Sequence, residues 1–111
     1  MTSELENLFN LQLMAYKISG YEREYKFHPS RRFRFDYAWP AQMIAVELQG
    51  GVWGKKSGHN SGTGIIAEME KSNQAQMLGW QVYKFFVDQV KSGEAIQFMQ
   101  SILSTKQGES K

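Results

Sequence analysis

The 111-residue sequence contains no cysteine, and this absence limits the chemistry that the chain can carry. Without thiols there can be neither a disulfide framework nor a thiolate zinc site. Any bound metal ion would need oxygen or imidazole ligands, which favours hard cations such as Mg²⁺.

Long apolar runs are also absent, and proline occurs only twice. No segment approaches the roughly 20 apolar residues that span a bilayer, and the acidic start of the chain is unlike a signal peptide. We therefore expect an intracellular, cytoplasmic protein with no membrane partner. The length suits one domain, predicted over residues 1–104, with a polar tail over 105–111.

Charge of either sign is moderate. The formal net charge is +2 with a pI of about 8.9, and 41% of the residues are hydrophobic against 22% charged. These values are typical of a soluble globular protein and exclude a disordered or fibrous chain. The mildly basic balance is compatible with nucleic acid, but alone it is a weak signal.

The first segment has the pattern of an amphipathic helix. Ser3 and Glu6 form a capping-box sequence, and apolar residues recur at three- and four-residue spacing as far as Ile18. Gly20 suits the left-handed residue that follows a helix. A helix is therefore predicted from Ser3 to just before Gly20.

A period of two follows, which indicates strands. A three-stranded meander is predicted over 22–27, 31–38 and 43–49. In its second strand, side chains are predicted to alternate between two faces, with Phe33, Phe35 and Tyr37 on one and Arg32, Arg34 and Asp36 on the other.

A glycine-rich polar loop spans 50–64, and loops of this length are usually functional or mobile. Beyond it a helix, a strand and a helix are predicted over 65–78, 80–87 and 93–103. The predicted fold is mixed α/β, in the order α-βββ-α-β-α, with a central mixed sheet flanked by helices.

Two acidic residues are expected to face each other in this sheet. If the hairpin between the second and third strands turns between Ala41 and Gln42, residues whose numbers sum to 83 are opposite, including Asp36 and Glu47. Like charges placed there destabilise a sheet unless a cation offsets them. The pair therefore predicts a site for Mg²⁺ or Mn²⁺, which bind carboxylate and phosphate oxygens.

An ordinary explanation stays open, in which the acids face solvent and Asp36 pairs with Arg32 or Arg34. Against it, Glu47 interrupts the apolar run Met43–Leu48. Runs of that kind are usually buried strands, and a buried acid is rarely left without a partner or a task.

These segments resemble the PD-(D/E)XK nuclease superfamily, especially its small very-short-patch-repair and DUF559-like members. Four stretches carry the likeness: Phe33–Pro40, Ile44–Gly51, Glu70–Asn73 and Gly79–Val82. The resemblance implies a restriction-endonuclease-like fold and metal-dependent cleavage of DNA. It further implies Asp36 and Glu47 as metal-binding acids, with the Leu48 backbone carbonyl as another ligand.

Gln49 departs from this pattern, because the superfamily usually has lysine there. Lys71 is our candidate replacement, since it shares a helical stripe with Ala67 and Ala75, whose small side chains permit close approach to the sheet. A surface pair with Glu68 is the equally weighted alternative, and Lys84 is a weaker candidate.

Three further residues are possible participants. Glu6 is a third acid of the kind that such nucleases carry on the first helix, although its capping role explains it without a catalytic function and is favoured, and Glu4 is a comparable candidate. His59, in the glycine-rich loop, is a candidate acid, base or phosphate contact. His28, beside Pro29, is interpreted as a turn residue.

Basic residues are predicted to surround the acids and bind the DNA backbone: Arg31, Arg32, Arg34, Lys55 and Lys56. Trp53 could stack on a base, although a role in anchoring the loop is favoured. A homodimer is compatible with one centre cutting one strand.

Two other functions stay open. The missing lysine fits an inactive DNA-binding or partner-binding module of the same fold, and ordinary ion pairs would fit a structural interaction protein. The small size favours repair, recombination or a mobile element over site-specific restriction.

Overall fold

In a computed structural model of the protein, residues 4–50 and 62–109 are described, with their side chains up to residue 105. The elements are α1 (Glu4–Ala15), β1 (Glu22–Lys26), β2 (Arg34–Trp39), β3 (Ile44–Gln49), α2 (Gly62–Met77), β4 (Gln81–Phe86), α3 (Val87–Ser92) and α4 (Glu94–Glu109). The predicted order is confirmed, with the short helix α3 added before the last helix. Ser3 and its predicted capping role lie outside the described residues.

The strands form one mixed sheet in the order β1-β2-β3-β4. The first three are an antiparallel meander, and β4 runs parallel to β3. The helix α2 lies between β3 and β4 in the chain, as a parallel crossover requires. None of the helices in the described part is long and apolar enough to cross a bilayer.

Each face of the sheet contributes to a separate apolar cluster. Ile44 and Val46 of β3 pack with residues of α1, α3 and α4, whereas Ala45 packs with Ala75 of α2. Because successive residues of a strand point to opposite faces, these helices cover the two sides of the sheet. The side with α1 holds the larger cluster.

The predicted alternation in β2 is wrong at one point. Phe35 joins the cluster under α2, but Tyr37 joins the opposite cluster with Trp39, so these two aromatic residues do not share a face. The neighbouring strand explains the change. In β1, Arg23 pairs with Tyr37 and Tyr25 pairs with Phe35, so Glu24 lies opposite Asp36. Glu24 has a left-handed φ of 52°, which interrupts the regular pleat at this point.

The first helix ends earlier than predicted. Lys17, not Gly20, is the left-handed residue after α1, with φ 59°, and the Ile18 N–H donates to the Leu13 carbonyl at 2.9 Å. This is the bond pattern of a Schellman cap. Gly20 is also left-handed, at φ 85°, but it lies in the connection to β1.

Two other elements, β2 and α4, have boundaries that differ from the predicted ones. β2 begins at Arg34 and not at residue 31, because His28 Nδ1 accepts hydrogen bonds from the backbone N–H groups of Ser30 and Arg31 and holds them in a turn. At the other end of the chain, α4 continues to Glu109, well beyond the predicted helix end at 103.

Candidate active site

Asp36 lies where the pairing of β2 with β3 ends. The ladder runs Trp39↔Ile44, Ala38↔Ala45 and Tyr37↔Val46, which confirms the predicted register. One residue further, the Leu48 N–H donates to the Asp36 carboxylate at 2.8 Å. The side chain of Asp36 thus takes the place of a backbone acceptor, and the same register sets it across from Glu47.

Glu47 is buried on the side of the sheet that α2 covers. It is 6% exposed and is the one charged residue that is buried within the described part of the chain. It ends the four-residue buried stretch of β3, which begins at Ile44. Its carboxylate receives a hydrogen bond and an ion pair from the Lys71 ammonium group.

Lys71 reaches Glu47 because α2 approaches the sheet closely one turn later. Ala75 is the buried residue of α2, at 1% exposure, and its small side chain permits that approach. The Lys71 side chain is 17% exposed, and its nitrogen lies 5.9 Å from the centre of the Phe35 ring. The alternative pairing with Glu68 is not the one that the structure shows.

Two more acids approach Asp36 from its other side. Carboxylate oxygens of Glu6 in α1 and Glu24 in β1 lie, together with one of Asp36, within 4.8 Å of one another. Glu6 is held there because Phe9, one turn later in α1, is buried against the sheet and the Tyr37 hydroxyl donates to the Glu6 backbone carbonyl.

Glu24 was not among the residues that the sequence predicted for this site. The signal was available, because residues of β1 and β2 face each other when their numbers sum to 60, a register that the turn at residues 28–31 sets. The same arithmetic that predicted the Asp36–Glu47 pair therefore places Glu24 across from Asp36. Glu24 also forms an ion pair with Arg34, with 2.9 Å between the side-chain atoms.

The pKa values of three of these acids, Glu6, Asp36 and Glu47, are raised, and burial is the largest cause of each rise. Burial, followed by the charges of Asp36 and Glu24, raises the pKa of Glu6 to about 7. Burial also raises the pKa of Asp36, against the opposing effects of the Leu48 N–H and Lys71. The pKa of Glu47 is raised by burial, with Lys71 acting in the opposite direction and Asp36 adding to the rise.

Lys71 is therefore close enough to lower the pKa of both Asp36 and Glu47. The site consists of a central acid, Asp36, between the ion pair Glu47–Lys71 and the acids Glu6 and Glu24. We call these five residues the acidic site. Chemically, the group can bind a hard cation through oxygen and place a lysine ammonium beside it.

The other predicted residues lie around this group. Gln49 is exposed at the end of β3, and Lys84 of β4 is opposite Glu47 in the register. Arg32 is exposed, and Arg31 forms an ion pair of 2.9 Å with Glu70. His28 organises its turn, as interpreted from the sequence.

An open depression of about 820 Å³ borders the acidic site on the α1 side. Glu4, Glu6, Asp36 and Leu48 line it together with Lys91. The predicted loop residues lie outside the described part of the chain: Trp53, Lys55, Lys56 and His59.

The structure is similar to the catalytic domain of the homing endonuclease I-Bth0305I, with a TM-score of 0.68 and 16% sequence identity over 95% of this chain and 98% of that one. No protein-family model matches the sequence, and no curated protein is significantly similar to it. At this identity the likeness shows the fold alone, and it agrees with the predicted fold class. The narrower resemblance to very-short-patch-repair and DUF559-like proteins stays a prediction.

Proposed function

We propose that this chain is a divalent-metal-dependent DNA endonuclease, which uses Asp36, Glu47 and Lys71 to hydrolyse phosphodiester bonds. The observation that carries the proposal is that Lys71, from a separate helix, contacts Glu47 and acts electrostatically on Asp36, while these two acids of neighbouring strands also act on each other. The fold similarity to an endonuclease catalytic domain supports the same reading.

The donor set fits a hard divalent cation. The donors are carboxylate oxygens, the ligands that Mg²⁺ and Mn²⁺ take together with water and substrate phosphate. Burial is the main cause of the raised pKa values of Glu6 and Asp36, and the charge of Glu24 adds to both; a cation would relieve that repulsion. Asp36, Glu47 and the Leu48 carbonyl would hold the ion. Glu6, whose carboxylate is close to that of Asp36, would be a further ligand.

A divalent ion held by these residues would polarise a phosphate oxygen and make a water molecule more acidic. The protein residues orient the reaction. The Leu48 N–H fixes the direction of the Asp36 carboxylate, and Glu47 is fixed by Lys71. Groups held in this way lose little freedom when a substrate arrives, which favours the productive geometry.

Lys71 would supply the positive charge that the exposed Gln49 lacks. An ammonium group next to the scissile phosphate stabilises the negative charge that develops during hydrolysis, and a partly buried site strengthens the effect. Lys71 belongs to α2 and not to β3. The lysine side chain therefore approaches the acids from a different element than the sequence pattern of the superfamily implies.

Basic side chains near the acidic site would hold the DNA backbone. Arg31, Arg32 and Arg34 are exposed around the β1–β2 turn, and the sequence adds Lys55 and Lys56, which lie outside the described residues. Phosphate contacts of this kind position a duplex without reading its sequence.

The test is cleavage of linear, nicked, branched and supercoiled DNA with Mg²⁺, with Mn²⁺ or with EDTA. We expect metal-dependent cutting by the wild type and its loss in Asp36→Ala and Glu47→Ala. Lys71→Ala should lower the rate by about 10²–10³-fold, the usual effect of removing a group that stabilises transition-state charge.

Two exposed residues provide matched controls. Glu22→Ala and Lys17→Ala remove the same charges elsewhere in the described part of the chain and should leave the rate unchanged. If the wild type binds DNA but leaves every substrate uncut with either metal, the proposal is wrong and the inactive binding module takes its place.

A further inference from the structure

We infer that the β1–β2 turn is a clip that positions Lys71 for its reaction. This inference rests on the proposed function of Lys71. The clip consists of His28 and Arg31 in the turn and of Gln74 and Glu70 in α2. None of these four residues belongs to the acidic site, and they connect two elements that are far apart in the chain.

The clip makes two polar contacts, and both reach the helix next to Lys71. His28 Nε2 is 2.9 Å from the side-chain oxygen of Gln74, and the Arg31 guanidinium is 2.9 Å from the Glu70 carboxylate. Glu70 directly precedes Lys71, and Gln74 is three residues after it. The two contacts therefore hold the turn of helix that carries Lys71.

The turn itself is organised to make these contacts. His28 Nδ1 accepts two backbone hydrogen bonds, from Ser30 at 3.1 Å and Arg31 at 2.9 Å. Since Nδ1 is the acceptor, the ring proton is on Nε2 and points to Gln74. The Arg31 guanidinium also lies 4.4 Å from the centre of the Phe33 ring, which directs it towards Glu70.

Among the residues that the structure describes, α2 has only a small apolar attachment, so polar contacts have a larger part in holding it. Ala75, near its C-terminal end, is the buried residue of the helix, whereas Ile65, Ile66 and Met69 are at least half exposed. Lys71 is therefore one turn away from the apolar anchor, towards the weakly packed end. Polar contacts to the β1–β2 turn hold α2 at this point.

A positioning role predicts effects on Lys71 that simple stabilisation does not. Glu70→Gln combined with Gln74→Leu removes both helix partners and leaves the acidic site and the arginines unchanged. We expect the protein to fold, because exposed ion pairs contribute little to stability. We expect kcat for DNA cleavage to fall by about 10- to 100-fold with little change in KM, since a small displacement of a catalytic group has effects of this size.

A second readout does not depend on cleavage. Reaction of lysines with a small acetylating reagent, followed by mass spectrometry of peptides, measures how well Lys71 is held against Glu47. Lys71 should react slowly in the wild type and several-fold faster in the double variant, whereas the exposed Lys26 should not change. Gln76→Leu, on an exposed position of the same helix, is the control and should leave Lys71 protected.

A charge exchange tests the specific contact. Arg31→Glu alone should expose Lys71 to the reagent, and adding Glu70→Arg should restore its protection. Unchanged Lys71 reactivity and unchanged kcat in the double variant would overturn the clip while leaving the proposed function intact. If the wild type cuts no DNA, the proposed function fails, and the reactivity of Lys71 measured without DNA still decides whether the clip holds it.

Discussion

Glu47 and Lys71 illustrate how a residue's environment determines its charge. Glu47 is buried on the side of the sheet that α2 covers, where burial alone favours its protonated form. Lys71 opposes this effect and favours the carboxylate. Removing one member of a buried pair leaves the other charge without compensation, which usually costs more than the pair contributes.

We therefore expect Lys71→Met to lower the free energy of unfolding by about 3 kcal/mol at pH 8, at the lower end of the range for a broken buried pair. The loss should be smaller at pH 5. Without Lys71 the pKa of Glu47 in the folded state rises further above its unfolded value, so stability is retained at low pH and lost as the pH rises. Urea unfolding followed by tryptophan fluorescence measures both values.

Lys84→Met is the matched control, because it removes the same charge from an exposed position on the neighbouring strand. Its effect should be within about 0.5 kcal/mol of zero. Adding Glu47→Gln to Lys71→Met should recover most of the loss. Equal losses at pH 5 and pH 8 would contradict this account of Glu47.

Individual residues of the site were predictable to the extent that local periodicity determined them. The hairpin turn after Pro40 placed Asp36 across from Glu47, and helical spacing placed Lys71 on the side of Ala75. Periodicity could not decide whether Lys71 would pair with Glu68 or Glu47. That choice depends on how closely the helix approaches the sheet, which is a property of the tertiary structure.

For whole elements too, local patterns predicted part of the structure, and tertiary contacts determined the rest. Strand positions and the parallel placement of β4 follow from alternation and from the βαβ connection. The six-residue helix α3 was missed because one and a half turns give too little periodicity. The break between Phe35 and Tyr37 was missed because it depends on the left-handed Glu24 in the neighbouring strand.

The end of α1 gives a prediction at this scale. Lys17 has φ 59° at the position of a Schellman cap where glycine is usual. Lys17→Gly removes the clash of Cβ in this conformation but adds freedom to the unfolded chain, and we expect a net gain of about 0.5–1 kcal/mol in unfolding free energy. Urea unfolding measures it. Lys17→Ala retains Cβ and should give no gain, and a similar gain in both variants would show that the charge, not the backbone, is responsible.

For the whole molecule, the distribution of charge is more informative than its sum. The net charge of +2 is small, yet three carboxylates from α1, β1 and β3 converge around Asp36 of β2. The fold brings these strands and helices together through apolar packing, and the repulsion between the acids is a cost that this packing must exceed. The cost depends on pH, and a bound cation would reduce it.

The pKa of about 7 at Glu6 determines the direction of this dependence. Because that value is above the ordinary 4.5, the folded protein binds the proton more tightly than the unfolded chain. The contribution to stability is therefore complete below pH 4.5 and is lost as the pH rises towards 7. In EDTA, ionisation of Glu6 should contribute to a decrease in Tm as the pH rises from 4.5 to 7. The Glu6→Gln variant should show a smaller decrease over the same range.

A divalent cation should act in the opposite direction and only where the acids are ionised. At pH 8, Mg²⁺ at ten times its Kd should add about 1.4 kcal/mol to the stability of the folded state, which raises Tm by about 6 °C. At pH 5 the rise in Tm should be much smaller, because the cation must compete with protons for carboxylates whose pKa values are raised. Thermal unfolding with Mg²⁺ or EDTA at both pH values measures the difference. Asp36→Asn should abolish the rise at pH 8, whereas Glu22→Gln, an exposed acid of β1, should retain it. A rise that persists in Asp36→Asn would mean that Mg²⁺ binds elsewhere.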